Sequence, residues 1–119
     1  MSDTQTRTHI TQVGTVIVPV SDQDRALDFY TETLGFEKRA DIPYGRGDRW
    51  AEVAPARAAT SIALVPLREG EPVGIDTHVG FTTNDIDVDA EVMRMGAPIP
   101  PMFFFRDPDG NRSFIVEQG

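Results

Sequence analysis

The first half of the chain alternates apolar and polar residues with two different periods, one typical of strands and one typical of a helix. Residues 10–20, ITQVGTVIVPV, are β-branched and apolar and predict a strand. Residues 22–34 predict a helix whose first and last residues are placed to within about 2–4 residues. Four apolar side chains fall on one stripe of this helix: Ala26, Leu27, Tyr30 and Leu34. Ser21 is the expected N-cap, and Gly35 suits the C-terminal end.

Three further strands are predicted after the helix. They are FEKRADI, RWAEVA and SIALVPL, separated by the loop YGRGD and the turn APARAAT. Residues 10–67 therefore predict the order β-α-β-β-β. The stretch REGEPVGID that follows is polar, contains glycine and proline, and is interpreted as a linker.

The same order of elements begins again after the linker. DTHVGFTT, residues 76–83, predicts a strand, and MFFFRDPDGNRSFIVEQ at the end of the chain predicts a hairpin. This recurrence indicates an internal repeat, although the two halves share little sequence. Between them EVMRM, residues 91–95, fits a short helix and a strand equally well, since five residues do not separate the two periods.

Composition limits the classes of protein that fit. With 119 residues and 39% hydrophobic residues, the chain is expected to form one domain over 1–119. The absence of cysteine excludes disulfides and thiolate metal ligands, and fits a reducing cytoplasm. No apolar run is long enough to span a membrane, so we expect a soluble cytoplasmic protein without a membrane partner. A net charge of −8 with scattered arginines argues against a nucleic-acid partner.

Three stretches resemble the vicinal oxygen chelate superfamily, which includes glyoxalases, bleomycin-resistance proteins, fosfomycin-resistance enzymes and extradiol dioxygenases. SDQDRALDFYTETLGF resembles its first helix, THVGFTTNDID the strand that opens its second module, and RDPDGNRSFIVEQ its terminal hairpin. The resemblance covers Ile10 to Gln118. It implies an α+β fold of two βαβββ modules, at about 10–67 and 76–119, with curled mixed sheets around a cleft. It also implies a homodimer.

The second module differs from the family pattern. Relatives place a helix directly after the segment matching NDID, and this helix is missing between Asp87 and Val88. A true deletion is one explanation. Residues absent from the sequence at this point are another, which we prefer. This second explanation predicts a break in the chain between Asp87 and Val88, with EVMRM extended.

The resemblance also bears on metal binding. Metal-dependent relatives hold one ion with four ligands, usually His, Glu or Gln, and the matching positions here are Thr15, Ala63, His78 and Phe114. A hydroxyl, a methyl group, one imidazole and a phenyl ring do not make a divalent site, so we expect no metal, no cofactor and no assigned catalytic residue. Glu52, on the strand that carries Trp50, either lines the cleft or is an exposed strand residue.

Family geometry implies which side chains line the cleft: Thr15, Ile17, Trp50, Ala63, His78, Met102, Phe104 and Phe114. This aromatic lining favours a metal-free binder of a small organic molecule, aromatic or drug-like. The alternative is a metal-dependent lyase, isomerase or dioxygenase with non-standard ligands. A third interpretation is that these aromatics form ordinary core in a domain without a small ligand. The sequence leaves open whether the protein is an enzyme.

Overall fold

The structure is a computed structural model and describes residues 8–84 and 101–117. Within them one helical segment and seven strands form an α+β fold, as predicted. In chain order the elements are β1 (Thr15–Val20), α1 (Gln23–Asp28) continued by a π-helical turn (Phe29–Thr33), β2 (Glu37–Pro43), β3 (Arg49–Ala54), β4 (Ser61–Pro66), β5 (Asp76–Thr83), β6 (Met102–Arg106) and β7 (Arg112–Glu117). No helix in these ranges is long and apolar enough to cross a membrane. The predictions of a break between Asp87 and Val88 and of an extended EVMRM lie outside the described residues.

The strands form two mixed sheets, as the family resemblance implies. The first has the order β1-β4-β3-β2, with β1 parallel to β4 and the other pairs antiparallel. The second has the order β5-β7-β6, with β5 parallel to β7 and β6 antiparallel to it. In both sheets the opening strand of the module lies beside its last strand. The topology therefore repeats as the order of elements predicted.

The helix covers the predicted residues, but two local predictions are wrong. Asp22, not Ser21, is the N-cap: its backbone is extended and its carboxylate accepts a hydrogen bond from the Arg25 amide at 3.1 Å. Ser21 is not the cap because its amide and hydroxyl both donate to the Asp109 carboxylate, at 2.8 and 2.5 Å. The first strand begins at Thr15 rather than residue 10, since the residues before Ser61 contact Gln12 and Val13 by side-chain hydrogen bonds and not by a strand ladder.

The core lies between the two sheets, around the helix. One face of the first sheet buries its side chains against Ala26, Leu27 and Tyr30 of the helix; these sheet residues are Val18, Val20, Ala51, Val53, Ile62 and Leu64. The second sheet packs on the same core through Phe81 and Phe105. Their rings lie 5.2 Å from Phe36 and 6.3 Å from Phe29, respectively. Each sheet therefore has one face on the shared core and one face directed away from it, which we call its free face.

The DPDGN turn fastens the second module to the first. The Tyr30 hydroxyl donates to the Asp107 carboxylate at 3.1 Å, and Asp107 also accepts from the amides of Asp109 and Asn111, at 3.0 and 2.9 Å. The side-chain nitrogen Nδ2 of Asn111 donates to the Pro19 carbonyl at 3.0 Å. Burial, together with the charge of Asp107, raises the pKa of Tyr30 above its ordinary value. The bonds to Asp107 shape the turn, and those to Tyr30 and Pro19 join it to the first module.

Candidate functional site

The free face of the first sheet carries four of the predicted site residues. Strand alternation places Thr15 and Ile17 of β1 on this face, because Val16, Val18 and Val20 point to the core. Ile17 lies opposite Ala63, which in turn lies opposite Glu52 on β3. Trp50 shares the parity of Glu52. Ile17 is 56% exposed, so this face presents apolar surface rather than packed core.

A cleft of about 520 Å³ lies beside this free face. The sheet supplies one wall, which includes the predicted site residues Ile17 and Trp50. The loop between β2 and β3 and the linker after β4 supply the other walls. Their lining residues are Tyr44, Asp48, Leu67, Arg68, Glu71 and Ile75. The stretch that sequence analysis treated only as a polar linker thus forms part of the candidate site.

A hydrogen-bonded carboxylate lies next to this cleft. The Ser61 hydroxyl donates to Oε1 of Glu52 at 2.5 Å, and the indole nitrogen of Trp50 donates to Oε2. The Thr15 hydroxyl lies 3.5 Å from the Ser61 hydroxyl and extends the network to β1. The hydrogen bonds from Ser61 and then Trp50 lower the pKa of Glu52, since they stabilise its charged form. Glu52 is therefore an anchored, half-buried anion on the free face rather than a solvated strand residue.

The free face of the second sheet is aromatic. Phe104 and Phe114 are paired across β6 and β7, with ring centroids 5.9 Å apart in an edge-to-face arrangement. The Phe114 ring lies over Gly80, where an added Cβ would come within 2.5 Å of the ring. Met102 shares the parity of Phe104, which is 41% exposed. Glycine at position 80 is what lets the phenyl ring lie flat against the strand.

A guanidinium group borders this aromatic surface. The Arg112 guanidinium carbon lies 4.3 Å from the centroid of the Phe104 ring, a cation–π geometry. Asp76 orients it through a bond of 2.5 Å from Arg112 Nη2. This hydrogen bond is the main reason that the pKa of Asp76 lies below its ordinary value. The second free face thus combines apolar rings with a guanidinium that is paired to a carboxylate, whereas the first carries a carboxylate held by neutral donors.

His78 lies where the pairing of β5 with β7 is irregular, between Asp76 and Gly80. Its φ of +58° belongs to the left-handed region, which is uncommon for a residue other than glycine. The side chain is 84% exposed, with Nδ1 3.6 Å from the Asp76 carboxylate. Exposure still alternates along β5, with His78 between the half-buried Thr77 and Val79, so the residue keeps the parity of Gly80. A role for His78 in the site stays a prediction.

The structure sorts the predicted site residues into two groups. Thr15, Ile17, Trp50 and Ala63 lie on the first sheet, and Met102, Phe104 and Phe114 lie on one face of the second. Because both sheets pack on the shared core through their other faces, that core lies between the two groups in one chain. The residues of each group lie together on one sheet. A single chain does not place the two groups in the same cleft.

The four positions matching the metal ligands of relatives do not fit a divalent ion. Ala63 has no donor atom, and Phe114 packs over Gly80 with its ring. Thr15 offers one hydroxyl beside Ser61, and His78 is an exposed imidazole. In the ranges 8–84 and 101–117, no three or more His, Cys, Asp or Glu residues are grouped so as to hold a metal ion. We therefore derive no chemistry through a metal at this site.

Comparison with known proteins settles the family. Residues 9–113 match the family model described as Glyoxalase/Bleomycin resistance protein/Dioxygenase superfamily. The chain belongs to this superfamily. The resemblance inferred from the helix, strand and hairpin motifs is thereby confirmed.

Proteins with similar sequence or structure match nearly the whole chain. The uncharacterized protein YetH of Bacillus subtilis (strain 168) is 47% identical over 120 residues, which cover 91% of this chain and 99% of YetH. TnmS3, an antibiotic binding protein from Streptomyces sp. CB03234, is 35% identical with a TM-score of 0.79, covering 95% of this chain and 100% of its own. A superfamily member from Sphaerobacter thermophilus DSM 20745 is 34% identical with a TM-score of 0.80, covering 93% and 100%.

Proposed function

We propose that this protein binds a small organic molecule, aromatic or drug-like, in an apolar cleft and requires no metal ion to do so. Phe114 carries the proposal. Its ring occupies the position that matches a metal ligand of relatives, lies over Gly80, and pairs with the partly exposed Phe104. A free face of this kind offers stacking and apolar contact to an organic ligand.

The cleft of the first sheet supports the same class of ligand. A volume of about 520 Å³ suits a molecule of drug-like size. Ile17 and Trp50 provide apolar and aromatic contact there. The similarity to TnmS3, which is described as an antibiotic binding protein, also supports a small-molecule ligand for this chain.

We propose further that two copies of the chain form the complete site. The shared core separates the two free faces of one chain, so the first free face of one copy would meet the second free face of another. Association of this kind would also cover Ile17 and Phe104, which are 56% and 41% exposed. A two-fold dimer would contain two such sites, each with residues from both copies.

The remaining proposals concern the partners and the cellular location of the protein. The net charge of −8 supports a protein whose partners are a small molecule and a second copy rather than nucleic acid or membrane. The absence of cysteine supports a cytoplasmic location.

Metal analysis combined with ligand titration tests the function. Protein purified without chelator is titrated with two aromatic probes, meta-tert-butylphenol and meta-hydroxyphenyl-trimethylammonium, while the fluorescence of Trp50, the one tryptophan in the chain, is followed. We expect saturable binding, substoichiometric metal and affinities that chelator leaves unchanged. Stoichiometric zinc, nickel, iron or manganese, with binding lost on chelation, would instead support the metal-dependent lyase, isomerase or dioxygenase.

A further inference from the structure

We propose that the Glu52 carboxylate is the recognition group for a cationic centre, a quaternary or protonated amine, on the ligand of this cleft. The inference rests on the proposed function, because it names the chemical class of the molecule that the cleft binds.

The position of Glu52 in the sheet leaves it accessible from the free face. Its cross-strand neighbours are Ala40 on β2 and Ala63 on β4, and the next residue in the row is Ile17. Methyl groups on both sides are too short to cover a carboxylate. A ligand that lies on this face therefore meets an anion set in an apolar row.

The bonds that hold Glu52 do not neutralise it. Ser61 and Trp50 are neutral donors, and each occupies a different carboxylate oxygen, so both oxygens keep a lone pair for a ligand. Among the ion pairs in residues 8–84 and 101–117, none includes Glu52. The nearby Arg39 donates instead to the Glu37 carboxylate and to the carbonyls of Pro55 and Ala58. With its pKa lowered, Glu52 carries its full charge at neutral pH.

Trp50 connects this anion to the cleft. Its ring lines the cleft beside Ile17, and its indole nitrogen donates to Glu52. A cationic centre close to both groups would gain a cation–π contact and a carboxylate contact at once. The rim adds two acidic side chains, Asp48 and Glu71, against one basic side chain, Arg68. The charges around the cleft thus favour a cation over an anion.

Two probes of matched shape isolate the role of charge. meta-Hydroxyphenyl-trimethylammonium and meta-tert-butylphenol differ only in the replacement of a quaternary nitrogen by carbon. Both are titrated into the full-length wild-type protein, Glu52→Gln and Glu32→Gln, with calorimetry beside Trp50 fluorescence. Glu32 is an exposed residue of the π-helical turn, which packs on the core side of the first sheet, so its replacement removes the same unit of net charge away from the cleft.

We expect wild-type protein to bind the cation about tenfold more tightly than its neutral isostere. Glu52→Gln should bind the two equally, whereas Glu32→Gln should keep the preference. Equal affinities in wild type, tighter binding of the neutral probe, or an undiminished preference in Glu52→Gln would each overturn the inference. If Glu52→Gln does not fold, the affinities of the two probes for wild-type protein decide. Binding of the neutral probe without a preference leaves the proposed function standing, and absence of binding by both probes contradicts both proposals.

Discussion

The two free faces share a topology and differ in chemistry. Each lies on a sheet whose opening strand is parallel to its last strand, β1 beside β4 and β5 beside β7. The first face holds a carboxylate fixed by Ser61 and Trp50, while the second holds Phe104 and Phe114 beside a guanidinium. The repeat thus supplies two similar scaffolds, and a few side chains at equivalent parity decide what each can bind.

The largest expected effect concerns the turn that joins the two modules. Asn111 is 0% exposed; its side chain donates to Pro19 and Asp107 and accepts from the Ile75 amide at 2.9 Å. Asn111→Ala leaves several buried groups without partners and should lower the free energy of unfolding by about 3 kcal/mol. Denaturant unfolding measures it. Gln12→Ala, which removes one exposed hydrogen bond, is the control and should cost under about 0.5 kcal/mol. A comparable loss in both variants would contradict the role of the turn.

The second effect separates the free face of the second sheet from its core face. Phe114→Ala should weaken binding of meta-tert-butylphenol by about 1–3 kcal/mol, because an aromatic contact with the ligand is lost. Phe105→Leu, on the core side of the same sheet, should lower stability and leave the affinity unchanged. Calorimetric titration of the folded variants measures the two affinities, and unfolding in denaturant measures the stability of Phe105→Leu. Unchanged affinity in Phe114→Ala would make this ring ordinary core.

The local sequence pattern predicts the strands and their faces but not the contacts between distant residues. Alternation predicted β5 at residues 76–83 and placed Trp50 and Glu52 on one face, and the structure agrees. Capping preference could not choose between Ser21 and Asp22, since both residues are good caps. The choice depends on Asp109, 88 residues later in the chain.

Two features of the candidate site also depended on contacts remote in sequence or on an irregular backbone. Glu52 was left open because its main donor, Ser61, lies on the neighbouring strand. His78 was placed in the cleft by the family resemblance, which gave no sign of the left-handed backbone and the irregular pairing at this residue. A repeated module predicts its scaffold well, but not the local departures from the repeat.

A third effect concerns pH and the first free face. The folded-state pKa of Glu52 lies below its ordinary value of 4.5, so its charged form contributes stability at neutral pH. That contribution is complete above the unfolded-state pKa and is lost as pH falls through the lower folded-state pKa. Glu52→Gln should therefore show a shallower loss of stability in acid, by on the order of 0.5 kcal/mol. Parallel curves for variant and wild type would show that the hydrogen bonds do not favour the charged form.

The smallest effect tests whether His78 belongs to either face. His78→Gly relieves the left-handed backbone and removes an exposed side chain, so stability should rise by about 0.5 kcal/mol or stay unchanged. The predicted cleft position of His78 requires that affinity for the aromatic probes also falls. Unchanged affinity in a stable His78→Gly variant would remove the imidazole from the site.

The most direct test of a site shared between two copies is complementation. Ile17→Asp places a charge on the first free face and Phe104→Asp on the second, both at partly exposed positions. In a two-copy site, every site of either homodimer contains one altered face. Equal mixing with subunit exchange then gives mixed dimers in which one site is intact.

Equilibrium dialysis with meta-tert-butylphenol counts the sites. We predict no binding by either variant alone and recovery of about one quarter of the wild-type sites after mixing, since half of the dimers are mixed and each has one intact site of two. No recovery after verified subunit exchange, or full binding by either variant alone, would contradict a cleft built from the two free faces of different copies.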